Sequence, residues 1–197
     1  MKRMLVVGED ALSVALGERL VAAGLPGWEM PSPAINTGGV TKLVKALPRY
    51  IEQSRHVQPV LCVADTDGRC AVTLLGEWLP RTVPGHFMLR LAVSEAESWI
   101  LADRSALAAY FEISAERIPP RPEELPDPKR KLLDLARRSG QRPVRQEVVS
   151  AQDASKPGPG YNLHLRDFVS RHWDARRAAE HSPSLARALV RIVTILG

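Results

Sequence analysis

Apolar residues in the first half of the chain fall into short runs that alternate with stretches of helical periodicity. Met4-Leu5-Val6-Val7 ends at Gly8, and Leu12, Ala15, Leu16, Leu20 and Val21 then repeat on one helical face between Asp10 and Gly24. A strand, a tight turn and a helix are predicted there. Residues 25–39 carry Gly, Pro and Asn punctuation around a short strand expected near Trp28 to Met30. Leu43, Val44, Leu47 and Ile51 mark a second helix from Val40 to Ser54, with Pro48 inside it where proline favours a kink. Pro59-Val60-Leu61-Cys62-Val63-Ala64 is continuously apolar, as in strands buried on both faces of a parallel sheet, and it stops at Asp65-Thr66-Asp67-Gly68. A helix from Cys70 to Leu79, a strand from His86 to Val93 and a helix from Ser94 through Leu101 follow.

This alternation over residues 1–104 predicts an α/β fold built on a parallel sheet flanked by helices. Beyond it the pattern changes. Helices are expected near residues 105–112, 129–139, 163–172 and 183–195, joined by Pro-rich connections at 119–128 and 156–160. Residues 105–197 therefore form a helical, basic extension packed on the core of residues 1–104.

A chain of 197 residues fits one domain with an appended lobe, and 45% hydrophobic with 25% charged residues is ordinary globular composition. No apolar run is long enough to span a bilayer, and Glu9-Asp10 follows the first apolar run too closely for a signal peptide, so the cytoplasm is the expected location. Cys62 and Cys70 offer neither a metal-ligand spacing nor a disulfide framework.

The net charge of +5 is unevenly spread. Residues 1–128 hold 13 Lys/Arg against 16 Asp/Glu, whereas residues 129–197 hold 14 against 6. An acidic site beside a basic surface suits a metal-dependent enzyme acting on a polyanion. The same balance also describes arginine-rich solvated helix faces.

Glu9 and the pair Asp65 and Asp67 sit at the ends of different strands, and strand carboxyl ends in an open α/β sheet converge on one crevice. In an extended segment residues i and i+2 point the same way, so Asp65 and Asp67 are expected to face that crevice together. Such hard oxygen ligands suit magnesium or manganese, which would polarise a phosphate and activate water. Each acid also has a structural role open to it: Glu9 and Asp10 open a helix, and Asp-x-Asp-Gly is a common turn. Ser94-Glu95-Ala96-Glu97 matches a capping box, with Ser94 as cap and Glu97 reaching back; Glu95 and Glu97 are equally candidates for catalysis beside the metal.

Read together, Val6-Val7-Gly8-Glu9-Asp10, Ala64-Asp65-Thr66-Asp67 and Ser94-Glu95-Ala96-Glu97-Ser98-Trp99-Ile100 resemble a family of uncharacterised bacterial Toprim-like proteins. Leu125-Pro126-Asp127-Pro128-Lys129, Gly158-Pro159-Gly160-Tyr161-Asn162 and Ser182-Pro183-Ser184-Leu185 extend the resemblance over nearly the whole chain. It implies the fold shared by topoisomerases, primases and overcoming-lysogenization-defect nucleases, with Glu9, Asp65 and Asp67 binding magnesium for phosphodiester chemistry. One departure stands out. The Toprim pattern places its glutamate directly before glycine, where this chain has Val7, and the acid follows as Glu9. The resemblance also implies a place in antiphage defence beside an ATPase partner.

Lys129 is a candidate phosphate ligand, and Arg137 and Arg138, with Arg142, Arg145, Arg166, Arg171, Arg176 and Arg177, are expected along one wall of the crevice to grip nucleic-acid backbone. Gly158 to Asn162 lacks the residues of a P-loop, and the five histidines show no metal-ligand spacing. Trp78, Trp99 and Trp173 read as core anchors. The leading expectation is a magnesium- or manganese-dependent nuclease acting on DNA or RNA. Its rival is a non-catalytic subunit that binds nucleic acid or a partner protein on the same scaffold, as a monomer or an oligomer.

Overall fold

The computed structural model describes residues 2–30 and 33–196. Four parallel strands, β1 (Leu5–Gly8), β2 (Ile35–Asn36), β3 (Val60–Asp65) and β4 (Phe87–Ala92), form one sheet in the order β2-β1-β3-β4. The crossovers are α1 (Ala11–Gly24), α2 (Val40–His56) and α3 (Ala71–Trp78). The chain is thus α/β, with an all-parallel sheet flanked by helices and a helical remainder. That remainder comprises α4 (Ala96–Ala102), α5 (Arg104–Phe111), α6 (Pro128–Ala136), α7 (Arg142–Glu147), α8 (Tyr161–Arg171), α9 (Ala175–Ala179) and α10 (Pro183–Leu196).

Strand alternation sorts the apolar side chains onto two faces. Val7, Cys62, Ala64 and Leu89 pack with Leu43, Leu47 and Ile51 of α2 and Leu74 of α3. Val6, Leu61, Val63 and Met88 pack on α1, and the same buried cluster continues into α4, α6, α8 and α10. The helices after residue 104 therefore complete the core on the α1 face.

Two indoles tie this layer together. The Trp173 Nε1–H donates to the Trp99 carbonyl at 2.9 Å, and the Trp99 Nε1–H donates to Ser184 Oγ at 2.7 Å; both indoles are fully buried. Glu123 accepts from the Ser184 amide at 2.9 Å and from the Ser182 and Ser184 hydroxyls, which anchors the start of α10. Asp103, also buried, holds Arg177 Nη2 at 2.8 Å and accepts from the Asp174 amide at 2.8 Å.

Two local expectations are corrected. Near Trp28 to Met30 only Glu29 forms an isolated bridge, to Arg3, and the strand beside β1 is Ile35–Asn36. The Trp28 amide is turned to the Leu25 carbonyl at 3.1 Å, so pairing with the chain before β1 is confined to Glu29. Ser94 is not the cap of α4: its φ is 64°, the cap position is Glu95, and no side chain bonds the first amides there. Among the described residues, no helix is long and apolar enough to cross a membrane.

Candidate functional site

The carboxyl ends of β1, β3 and β4 meet, and each delivers an acid. After β1 the chain turns at Gly8, where an added Cβ would lie 2.5 Å from the Val14 amide nitrogen; this close approach admits only glycine. Asp10 then caps α1, its carboxylate accepting from the Ser13 amide at 2.7 Å. Glu9 is left free of the cap. Its backbone N–H donates to the Val63 carbonyl at 3.2 Å, and its Oε1 accepts from the Asp65 amide at 2.7 Å. Its carboxyl is thereby drawn over the end of β3.

Asp65 is the last residue of β3, and its Oδ1 is buried with no hydrogen-bond partner. An unpaired buried carboxylate oxygen is costly, and an arrangement that keeps one asks for a positive ligand. Asp67 does not follow Asp65 in register. Its φ of 48° puts it in the left-handed region, so the i, i+2 alternation of an extended strand ends at Thr66, and Asp67 is exposed. Gly68, at φ 74°, completes the turn. The tips of β3 and β4 are clipped reciprocally: the Asp67 amide donates to the Ser94 carbonyl at 2.9 Å, and the Ser94 amide donates to Thr66 Oγ1 at 2.8 Å. That clip, rather than a capping box, is the work of Ser94.

Glu95 and Glu97 enter from the start of α4. Glu95 Oε2 accepts from the Lys129 amide at 2.9 Å, and Lys129 Nζ lies 3.7 Å from Glu95 Oε1 and 3.5 Å from Glu97 Oε1. Glu97 is buried and accepts a hydrogen bond from the Tyr161 hydroxyl at the head of α8. Lys129 is positioned by Asp127-Pro128, which starts α6: Asp127 accepts from the Arg130 amide at 2.7 Å.

The electrostatics follow from crowding acids at a dry edge. Burial, then the charges of Glu9, Glu97, Asp10 and Asp67, push Asp65 up to about 9. Burial also raises Glu9 to about 7, against the pull of the Asp65 amide and Lys129. Glu97 is raised by burial and pulled back by Lys129 and Tyr161. Burial opposes the charge on Lys129, but Glu97, Glu95 and Asp65 together hold its ammonium above the ordinary range. The Lys129 ammonium thus faces Glu9, Asp65, Glu95 and Glu97, and a divalent metal would take the place of the protons that burial keeps on Asp65 and Glu9. The donors are hard oxygens, as magnesium and manganese require. Among the described residues, no three His, Cys, Asp or Glu side chains stand grouped to hold a metal ion as placed.

The arginines expected along the crevice are mostly committed elsewhere. Arg177 pairs with buried Asp103, Arg145 donates to the Gly140 carbonyl at 2.8 Å, Arg171 pairs with Asp167 at 2.9 Å, and Arg176 donates to the Ala23 carbonyl at 2.9 Å. Arg137 and Arg138 are exposed beyond the far end of α6, roughly 12 Å along its axis from Lys129. Only Lys129 of the proposed phosphate ligands lies among the acids.

Sequence reasoning did not single out Tyr161 as a site residue or Thr66 as the clip. Tyr161 follows Gly158-Pro159-Gly160, a loop packed so closely on Glu147 and Val149 that an added Cβ at Gly158 would collide with the Glu147 carbonyl. Replacing Tyr161 by Phe is expected to cost about 1.5–3 kcal/mol, because the phenol serves a buried carboxylate. Urea unfolding near neutral pH would measure it; a loss below about 0.5 kcal/mol would mean that Lys129 alone satisfies Glu97.

Comparison with known proteins finds no family model, no curated sequence and no solved structure that matches the chain.

Proposed function

We propose that the protein is a metal-dependent phosphodiester hydrolase acting on DNA or RNA, of the Toprim-like kind that its sequence resembles. The observation that carries this reading is the meeting of Glu9, Asp65, Glu95 and Glu97 with Lys129 at the carboxyl edge of a parallel sheet, around an unpaired Asp65 Oδ1. Asp65 and Glu9 would hold magnesium or manganese from within the crevice, and Asp67 would reach the ion only from the exposed turn beyond β3. When bound, such an ion polarises a phosphate oxygen and activates water. Lys129 adds a fixed positive charge for the phosphate, and its tether to Glu95 and Glu97 keeps it at the crevice. Glu97, hydrogen-bonded to Tyr161, is the carboxyl best placed to take or return a proton.

The test is direct. Purified protein with manganese or magnesium is expected to cleave labelled DNA or RNA, and to lose that activity with Lys129→Ala as well as with changes at Asp65. Absence of cleavage on single- and double-stranded substrates alike would remove the hydrolase reading.

A second reading draws on one specific observation. Glu9 spends an oxygen on the Asp65 amide, and its carboxyl follows the glycine rather than preceding it. A scaffold that binds nucleic acid or an ATPase partner without catalysis would tolerate that displacement. Titration calorimetry separates the two: the hydrolase shows manganese binding that disappears with Asp65→Asn, and the non-catalytic scaffold shows none.

A further inference from the structure

Three arginines that the crevice does not use lie on β4 and on α10, the helix packed against it. This strand is an edge of the sheet, hydrogen-bonded to β3 on one side only among the described residues. Its Arg90 is half-buried on the face covered by α10, and its Nε is buried without a hydrogen-bond partner. The charge that bears on it is another arginine, Arg191 of α10. Arg187 lies one turn earlier on the same side of that helix, and both helix arginines are exposed. No carboxylate pairs with any of the three among the described residues. A half-buried guanidinium held beside a like charge is unfavourable until an anion arrives.

The direction of α10 decides where this stripe leads. Its first residues dock at α4 through Ser184 and Trp99, on the carboxyl edge of the sheet, and its last residues line a surface hollow with Lys2, Pro59 and His86 at the amino edge. The helix runs antiparallel to the strands. Arg187 is therefore the member nearest the acidic crevice, and Arg191 stands about 6 Å further along the helix, which packs on β4. The apolar residues Val190 and Val193 turn to the other flank, toward Ala23 and Gly24 of α1.

We propose that Arg90, Arg187 and Arg191 form a track for the phosphate backbone of a nucleic acid, running from the acidic crevice down the open edge of β4. Planar guanidinium groups bind phosphate oxygens in pairs, and a row of them along one edge suits a linear polyanion better than a single phosphate. The track rests on the hydrolase reading for the class of its ligand, and it names the surface that would hold the substrate.

The experiment measures binding without catalysis. The 197-residue chain carrying Asp65→Asn is titrated, without divalent metal, onto a fluorescein-labelled DNA duplex and its RNA counterpart, and anisotropy is followed against salt. Removing all three arginines (Arg90→Gln, Arg187→Gln, Arg191→Gln) is expected to weaken binding about tenfold or more at low salt. The log–log salt slope on duplex DNA should flatten by about 0.9 for each lost contact. The double variant Arg187→Gln/Arg191→Gln alters only exposed residues and guards against misfolding; it should remove about two such contacts. Arg55→Gln/Arg121→Gln, at arginines paired with Glu52 and Glu124, should match the parent. Parent-like affinity and slope in both track variants would overturn the proposal, and would leave Arg90 as a charge that merely blocks pairing at an open edge. Binding of phosphatidylglycerol vesicles through these arginines, with no affinity for nucleic acid, would overturn it equally. If wild-type protein with metal cuts nothing while the variants still lose salt-dependent binding, the hydrolase reading fails and the track stands.

Discussion

Asp65→Asn is expected to make the protein more stable while sharply reducing the metal-dependent cleavage proposed above. The sign follows from linkage. In the folded protein Asp65 is pushed up to about 9 and Glu9 to about 7, both above their values in an unfolded chain. The folded state therefore holds more protons than the unfolded state between roughly pH 4 and 9, so stability falls as pH rises through that window. The cost is absent below the unfolded carboxylate range and complete above the folded values. Asparagine keeps the shape without the charge, so its melting temperature should match the wild type in acid and exceed it increasingly toward pH 8. Manganese should reverse the order: at a concentration of about 100 times Kd it stabilises the wild type by about 2.7 kcal/mol, or roughly 5–10 °C, and leaves Asp65→Asn unmoved. Cleavage should fall by on the order of a hundred- to a thousandfold. Differential scanning fluorimetry across pH, with and without manganese, checks this. A lower melting temperature for Asp65→Asn at pH 8 without metal would show that the Asp65 carboxylate supports the fold instead of straining it.

Trp173→Ala should be the most damaging change away from the crevice. The side chain is fully buried, and its indole N–H is bonded to the Trp99 carbonyl, so truncation opens a large cavity and strands a buried acceptor. A loss of about 3–5 kcal/mol is expected, lowering the melting temperature by roughly 6–20 °C. Trp99 lies two residues beyond Glu97, on the helix that carries it. The damage should therefore reach the crevice: Trp173→Phe, which keeps most of the volume, is expected to retain the fold yet loosen metal binding. Chemical denaturation of both variants, with calorimetry on Trp173→Phe, would test this. Equal stability of Trp173→Ala and wild type would mean that the helices after α5 are not needed to hold the α1 face.

The parallel sheet was legible because buried parallel strands carry apolar runs: Val60 to Ala64 is unbroken, and Phe87 to Ala92 is interrupted only by Arg90. The predicted strand ends carry Glu9, Asp65 and Glu95, so most of the candidate site is legible on one edge from the sequence. The two-residue strand Ile35–Asn36 was not legible, since its pairing with β1 is set by the neighbouring chain and not by its own pattern. Ser94 misled for a related reason: its motif is that of a cap, but the clip to Thr66 and Asp67 draws it into a left-handed conformation that a cap does not use.

By itself, then, the sequence determined the longer elements, their order, and the acids at the strand tips, because local periodicity and turn chemistry act over a few residues, whereas the short elements Ile35–Asn36, Arg142–Glu147 and Ala175–Ala179 carry too little pattern of their own. Only tertiary structure decided what each charged group does. Asp67 leaves the strand register through a backbone turn, and Tyr161 reaches Glu97 across 64 residues of chain. Arg177 is taken by Asp103, while the packing of α10 on β4 sets the charge of Arg191 against Arg90. Charges act through space with a reach of several ångströms, and the neighbours that set their protonation and their partners come from elements far apart in the chain.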